Sequence, residues 1–449
     1  MSNRITLFPL TAAVSNAGYL TIGGADPMAM AAEFGTPLYV FDEVTLRRKC
    51  QEFAGEFGRR YPDTTVIYAA KAFINRALLK IISEEGLGLD VVSAGELAIA
   101  QSVSFPMNKV YFHGNNKTAA ELKLALEWRV GHVVVDNLNE LSMLAKIANE
   151  NHSRPDILLR LTPGIDPHTH QSIATGVIDS KFGLSRNNWE VAVETAMSTP
   201  ELNLVGLHFH LGSLLFEIEP YLAAIDLVLK FAAEMNQKYR FTLRELDVGG
   251  GFAVQYTLDA PAPPVSQYAE AITAKLNSQC QELGLTPPRL IIEPGRAIVG
   301  QAGVALYQVG VVKDIPGVRR YVAVDGGMGD NIRPALYGSK YEAVVVSKVT
   351  AANTDTVTIA GRFCESGDIL IRDIALPPVS PGDIIAIPDC GAYCLAMASN
   401  YNASLKPAIV LVKDGKARLI RRRETFDDLT RSDVLLTLRD VVTRGGRKY

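Results

Sequence analysis

A lysine, a run of glycines and an acid–glycine–arginine string are the residues whose types and spacing most suit chemistry. Lys71 follows the apolar run Val66–Ala70, and a lysine ending a buried strand is unusual because burial disfavours its charge. The same desolvation is expected to make its amine a Schiff-base nucleophile near neutral pH. A lysine that merely snorkels to a rim would look the same in isolation. Gly249, Gly250 and Gly251 follow Glu245–Val248, and consecutive glycines let backbone amides approach a phosphate with no Cβ in the way. Glu293–Pro294–Gly295–Arg296 adds a carboxylate, a further glycine and a guanidinium.

A phosphate cradle, a buried lysine and an acid together point to pyridoxal 5'-phosphate. The lysine would form the imine, the glycine amides and Arg296 would hold the phosphate, and Glu293 would keep the pyridine nitrogen protonated, so that the ring can act as an electron sink. His210 could stack against that ring or be a hydrogen-bonded core histidine. Two HxH pairs, His168–His170 and His208–His210, offer a rival reading, a metal-dependent hydrolase, because histidines two apart on a strand share a face. That reading leaves Lys71, the glycines and Arg296 without a task. Neither GxGxxG nor GxxxxGK[ST] occurs, so no dinucleotide site or P-loop is expected, and Gly326, Gly327 and Gly329 read as a turn. Cys364 lies among charged residues in Arg362–Asp368, as a reactive thiol or a half-exposed structural one. Arg333 and Tyr337 are four apart and would share one face of a helical turn, fit to grip a carboxylate or simply solvated.

Such residues need elements that converge them. Eight β-branched runs recur: Thr65–Ala70, Leu87–Val92, Lys109–Phe112, His132–Val135, Ile157–Leu161, Leu204–His210, Leu243–Val248 and Arg289–Ile292. Helix-period segments such as Ala77–Glu85, Ala94–Ser102 and Asn139–Glu150 lie between them. Strands alternating with helices predict parallel βαβ units closing into a (β/α)8 TIM-like barrel. The strand ends offer Lys71, Asp90, His113, Asp136, Arg160, His208 with His210, Gly249–Gly251 and Glu293. Only the C-terminal ends of barrel strands face one shared bowl, and phosphate sites often use the loops after the seventh and eighth strands. After about residue 300 the pattern becomes strand-like with few helices, in Val304–Val312, Tyr321–Val324, Ala343–Val349, Thr356–Ala360, Ile384–Ile387 and Ile409–Val412. The expected division is a barrel over 45–300 and an all-β domain over 301–449. Residues 1–44, strand-like at Tyr19–Ile22 and Leu38–Phe41, are expected to pack with the latter.

The chain has 449 residues, 48% hydrophobic and 21% charged, which suits large packed cores and excludes wholesale disorder. A formal net charge of −3 gives no electrostatic footprint for nucleic acid. The longest uncharged stretch, Ile5–Ala25, is broken by Pro9, Ser15, Asn16 and Gly18, so neither a membrane span nor a signal peptide is read there. Five scattered cysteines form no CxxC pair, against a disulfide framework or a structural zinc site. These features fit a soluble, cytoplasmic protein.

The motifs also resemble a known family. The strings YAAKA (Tyr68–Ala72), DVVSAGEL (Asp90–Leu97), HGNNK (His113–Lys117), DPHTH (Asp166–His170), GLHFHLGS (Gly206–Ser213), DVGGGF (Asp247–Phe252), EPGRA (Glu293–Ala297), RPALYG (Arg333–Gly338), CESGD (Cys364–Asp368) and GAY (Gly391–Tyr393) occur in one order along most of the chain. Together they resemble the diaminopimelate decarboxylase family, in the alanine-racemase-like (fold type III) group of pyridoxal-phosphate enzymes. The resemblance implies that Lys71 carries the cofactor, His210 stacks on its ring, Glu293 bonds the pyridine nitrogen and Arg160 sits near the ring hydroxyl. It implies Ser213, Gly250, Gly295, Arg296 and Tyr393 around the phosphate, with Arg296 and Tyr393 also near substrate. Arg333 and Tyr337 would bind the distal carboxylate, Glu365 the distal ammonium, and Cys364 would reprotonate the α-carbon. CESGD would come from the partner subunit of a homodimer. The implied reaction is meso-2,6-diaminopimelate to L-lysine and carbon dioxide; a sister decarboxylase for another amino acid, such as D-lysine or D-ornithine, is the alternative within the fold.

Overall fold

The computed structural model describes residues 3–165 and 180–435. Three short strands come first, β1 (Ala13–Val14), β2 (Leu20–Thr21) and β3 (Leu38–Asp42). Eight strands then alternate with helices: β4 (Thr64–Ala69), β5 (Gly88–Val91), β6 (Val110–Phe112), β7 (His132–Val135), β8 (Asp156–Leu161), β9 (Asn203–Phe209), β10 (Glu245–Asp247) and β11 (Arg289–Ile292). All pair in parallel in chain order, and β11 pairs with β4 to close the barrel. The lumen is filled by Ile67, Tyr111, Val134, Leu158, Val205 and Ile291, so it is a packed core and not a pore.

Local chemistry explains why a helix starts after each early strand. Asn75, Ser93, Thr118 and Asn137 each cap the following helix, their side chains accepting from the backbone N–H three residues on. Such caps satisfy amides that a helix start leaves orphaned, and each contributes about 1 kcal/mol. The chain is thereby turned back at the C-terminal end of each strand, which leaves those ends open above the lumen.

The β domain contains β12 (Gly303–Ile315), β13 (Arg319–Val324), β14 (Val344–Val345), β15 (Asp355–Ala360), β16 (Ile369–Leu376), β17 (Ile384–Ile387), β18 (Ala408–Lys413) and β19 (Lys416–Arg421). The order is β16-β15-β13-β12-β3-β18-β19, with β17 on β12 and β14 on β17. The early strand β3 thus sits inside this late sheet, antiparallel to β12 and parallel to β18. Its side chains alternate between two cores, as a period of two requires. Tyr39 and Phe41 join the large core shared with the barrel, and Leu38 and Val40 join a second core with Phe8, Leu20 and Val304. Strands β16 and β19 were not expected from the sequence; Arg372 and Asp373 in the first and Lys416, Arg418 and Arg421 in the second hide their pattern. Among the described residues no helix is long and apolar enough to cross a membrane.

Candidate active site

The strand ends surround a cavity of about 960 Å³ lined by Lys71, Arg160, His210, Ser213, Glu293 and Arg296, among others. Gly295, Arg333, Tyr337 and Tyr393 also reach it. Of the glycine run, Gly251 lines the wall, and Gly249 and Gly250 do not. The DPHTH histidines, His168 and His170, lie outside the described residues.

Lys71 stands in the short turn Ala70–Ala72 directly after β4, its Nζ 3.7 Å from Asp90 Oδ2. Burial pulls this ammonium down, but Asp90, Glu293 and Tyr393 outweigh it and hold the pKa above the ordinary lysine value. This corrects the expectation that desolvation alone would free the amine. The neighbouring carboxylates favour its charged form.

Glu293 directly follows β11 and is 2% exposed. Burial alone would raise its pKa, but His113 and His208 hold it well below the ordinary carboxylate range. His113 Nε2 lies 3.0 Å and His208 Nε2 3.5 Å from Glu293 Oε1. Desolvation pushes His208 down to about 3, so that ring is neutral at neutral pH. Burial and the Glu293 charge raise the Asp247 carboxyl behind them above the ordinary carboxylate range.

His210 is fixed differently. Its Nδ1 accepts the Gly250 N–H at 3.2 Å, so the remaining ring proton is on Nε2. Gly249 makes this turn at φ +74°, and a Cβ there would meet Phe209 O and His210 Nδ1; a Cβ on Gly250 would strike the Glu293 carbonyl. The glycines therefore let strand ends β9, β10 and β11 close on one another around the histidine.

Arg296 begins a short helix at Gly295 and donates to Ser213 Oγ at 2.9 Å and to Tyr256 Oη at 2.8 Å. Its guanidinium also lies over the Tyr393 ring, 4.6 Å from the centroid. Tyr393 comes from the β domain, and its N–H donates to Ala72 O at 2.8 Å, which ties it to the lysine turn. Arg160 lies 3.8 Å from Asp136 Oδ1 and over the Phe182 ring.

Arg333 and Tyr337 bound one helical turn, Arg333–Tyr337. Arg333 is 2% exposed, donates to Tyr341 Oη and stacks on Tyr256, yet makes no ion pair among the described residues. The buried Asp389 carboxyl feels this charge but does not pair with it, and a buried guanidinium without a direct ion pair is costly unless an anion joins it. Tyr337 is 62% exposed at the rim. Cys364 and Glu365 are not brought in. They stand on an exposed turn between β15 and β16, pinned by Asp368, which accepts from Met328 N–H and Phe363 N–H. Within one chain they do not line the cavity.

Three groups were missed as site residues. His113 and Asp90 were visible as polar strand ends and open two of the family strings, HGNNK and DVVSAGEL, but were given no role. Tyr256, which bridges two arginines, carries no local signal in the sequence. The rival metal reading also changes. Among the described residues the donor atoms that converge within 4.8 Å belong to His113, His208 and Glu293, not to an HxH pair.

These residues fit pyridoxal phosphate. The buried Glu293 carboxylate, the Lys71 amine and His210 line one cavity, and Ser213 and Arg296 present donors beside them. A family model described as pyridoxal-dependent decarboxylase, pyridoxal binding domain, matches residues 43–300. Diaminopimelate decarboxylase from Bacillus subtilis is 44% identical over 419 residues, covering 93% of this chain and 95% of that relative. The enzyme of that name from Synechocystis is 42% identical over 438 residues, covering 96% of this chain and 93% of that relative. A crystal structure of diaminopimelate decarboxylase from M. jannaschii in complex with L-lysine superposes with a TM-score of 0.90 at 35% identity, covering 95% of this chain and 98% of that one.

Proposed function

We infer the roles of individual residues from one premise: the chain belongs to the diaminopimelate decarboxylases, within the pyridoxal-dependent decarboxylases. It is a pyridoxal-phosphate-dependent carboxy-lyase that converts meso-2,6-diaminopimelate to L-lysine and carbon dioxide, the last step of lysine biosynthesis by this route. The observation that carries the substrate reading is Arg333, a buried guanidinium at the cavity that forms no ion pair among the described residues, while the buried Asp389 feels its charge without pairing with it. A substrate with a second carboxylate at its far end supplies the missing charge. Lysine and ornithine have none, and leaving the arginine unpaired costs about 3–5 kcal/mol.

When bound, the cofactor supplies the electron sink that lets the bond from the α-carbon to its carboxylate break. Lys71 Nζ holds the cofactor covalently. Glu293 would keep a proton on the pyridine nitrogen, His210 would cover one face of the ring and Arg160 would lie near its hydroxyl. Ser213, Gly250, Gly295, Arg296 and Tyr393 would hold the phosphate, and Arg296 and Tyr393 would also reach substrate. Arg333 and Tyr337 grip the distal carboxylate. Glu365 receives the distal ammonium, and Cys364 Sγ gives its proton to the α-carbon.

Because Cys364 and Glu365 stand outside the cavity of their own chain, we place them in the cavity of a partner subunit, in a homodimer with shared sites. The domains divide as a barrel over 45–300 and a β domain over 301–449, with residues 1–44 on the latter, and the enzyme works in the cytoplasm. Carbon dioxide release from meso-diaminopimelate, with D- and L-lysine, D- and L-ornithine and L-arginine in parallel, tests the substrate reading. Release from diaminopimelate alone supports it, and release from another of these amino acids in its place overturns it while keeping cofactor and fold.

A further inference from the structure

We infer that His113 is a positioning residue that couples the two ends of the cofactor site, holding Glu293 directly and the Lys71 amine through Asp90. The inference rests on the cofactor reading above. Its basis is a continuous line of close groups across the cavity floor. Lys71 Nζ is 3.7 Å from Asp90 Oδ2, Asp90 Oδ1 is 3.8 Å from His113 Nε2, and His113 Nε2 is 3.0 Å from Glu293 Oε1. No other route of ion-pair contacts joins Lys71 to Glu293 among the described residues. Asp90, His113 and Glu293 are 1%, 4% and 2% exposed, so water does not screen them.

The chemistry of the floor explains why one imidazole is shared. Asp90 Oδ1 and Oδ2, Glu293 Oε1 and His113 Nε2 all lack an aligned hydrogen-bond partner, although they lie close together. Two carboxylates left bare at this depth would repel each other and both drift toward protonation. His208 cannot serve both, since it reaches Glu293 but makes no contact with Asp90. His113 packs edge-on against His208 at 5.0 Å between ring centroids, which fixes its plane. One Nε2 therefore faces both acids. Its pull on Glu293 Oε1 leaves the other carboxylate oxygen for the pyridine nitrogen. Its pull on Asp90 limits how firmly Asp90 holds the Lys71 proton, which must leave before the amine can attack a carbonyl.

Removing the ring should therefore disturb two separable events. Cofactor-free His113→Leu is titrated with pyridoxal phosphate, and covalent attachment to Lys71 is followed by borohydride trapping and by the visible band of the reconstituted protein. The expected result is a cofactor dissociation constant raised about ten- to hundredfold, as for a buried group stripped of its partner, together with slower trapping at Lys71. His113→Gln, whose amide nitrogen can occupy the Nε2 position, should recover most of both. Urea unfolding of the cofactor-free variants reads any loss of stability separately, and His113→Gln should stay close to wild type. Two results would overturn the inference: unchanged binding and trapping in His113→Leu, or losses that Gln does not recover and that track a fall in cofactor-free stability. Wild-type protein that fails to take up the cofactor would instead overturn the underlying site assignment.

Discussion

The Arg333 guanidinium lies 4.7 Å from the centre of the Tyr256 ring. The same ring has Arg296 5.8 Å from its centre, and its hydroxyl accepts from Arg296 Nη1. One aromatic therefore holds two like charges at a common wall, and its electron-rich faces and hydroxyl offset their repulsion. Contacts of this kind contribute about 0.5–2 kcal/mol each. Tyr256→Leu should raise KM for diaminopimelate about tenfold with a smaller change in kcat, and Tyr256→Phe should keep most of the stacking. Steady-state kinetics on the three proteins check this; equal KM values would remove Tyr256 from substrate binding.

Lys117 and Glu140 form a buried pair, Nζ to Oε1 2.7 Å, and Lys117 also donates to Gly114 O and Val134 O. Glu140 in turn accepts from the Asp136 N–H at 3.1 Å, below the carboxylate that faces Arg160. Lys117→Met leaves Glu140 charged without a partner and should destabilise the fold by about 3–5 kcal/mol. Lys117→Met with Glu140→Gln should regain part of that, because the glutamine oxygen still accepts from Asp136. Denaturant melts of the two variants make the comparison, and a double variant no more stable than the single one contradicts it.

Acid should weaken the cofactor-free protein through His208. Burial holds this ring at about 3 in the fold. An imidazole in the unfolded chain titrates near about 6.5. Between those values the unfolded chain binds a proton that the native chain refuses. Stability is therefore full above the unfolded value and falls as pH drops, by up to about 1.4 kcal/mol per pH unit. His208→Asn should flatten that slope. Urea unfolding at a series of pH values between neutrality and about 4 reads it directly, and parallel slopes in the two proteins would show that other groups carry the acid sensitivity.

Shared sites make a prediction that no single variant can. Lys71→Ala and Cys364→Ala subunits should each be nearly inactive alone. After mixing and exchange, half the dimers would be hybrids with one site that contains both native residues, so about a quarter of wild-type activity should return. Activity that stays at the level of the separate variants would mean that each subunit completes its own site.

The barrel was legible because each strand is an apolar β-branched run that ends in a polar residue or glycine, and each helix after an early strand begins at a capping side chain. Every barrel strand falls within two residues of its expected bounds. The β domain was less legible. Val344–Val345 is all that pairs in the expected strand Ala343–Val349, and β19 alternates charged and apolar residues at an edge, where either face can be wet. Single-residue chemistry followed the same division. Lys71, Glu293 and Arg296 end strands or open turns, where sequence and position agree. Tyr256 acts through contacts with residues 40 and 77 positions away, and such a partnership exists only after folding. The charge on Lys71 was misjudged for the same reason, since Asp90 and Glu293 become its neighbours only when the barrel closes.

The place of β3 also bears on how the molecule is made. Its five residues emerge early in synthesis, but their partners in β12 begin at Gly303 and those in β18 at Ala408. Barrel strands β4 to β11 can pair while the later third of the polypeptide is still unborn. Throughout that interval β3 waits with two unpaired edges, one face carrying Leu38 and Val40 and the other Tyr39 and Phe41. An apolar strand held open for so long can pair with another chain, and truncation before Ala408 would leave its β18 edge unpaired permanently.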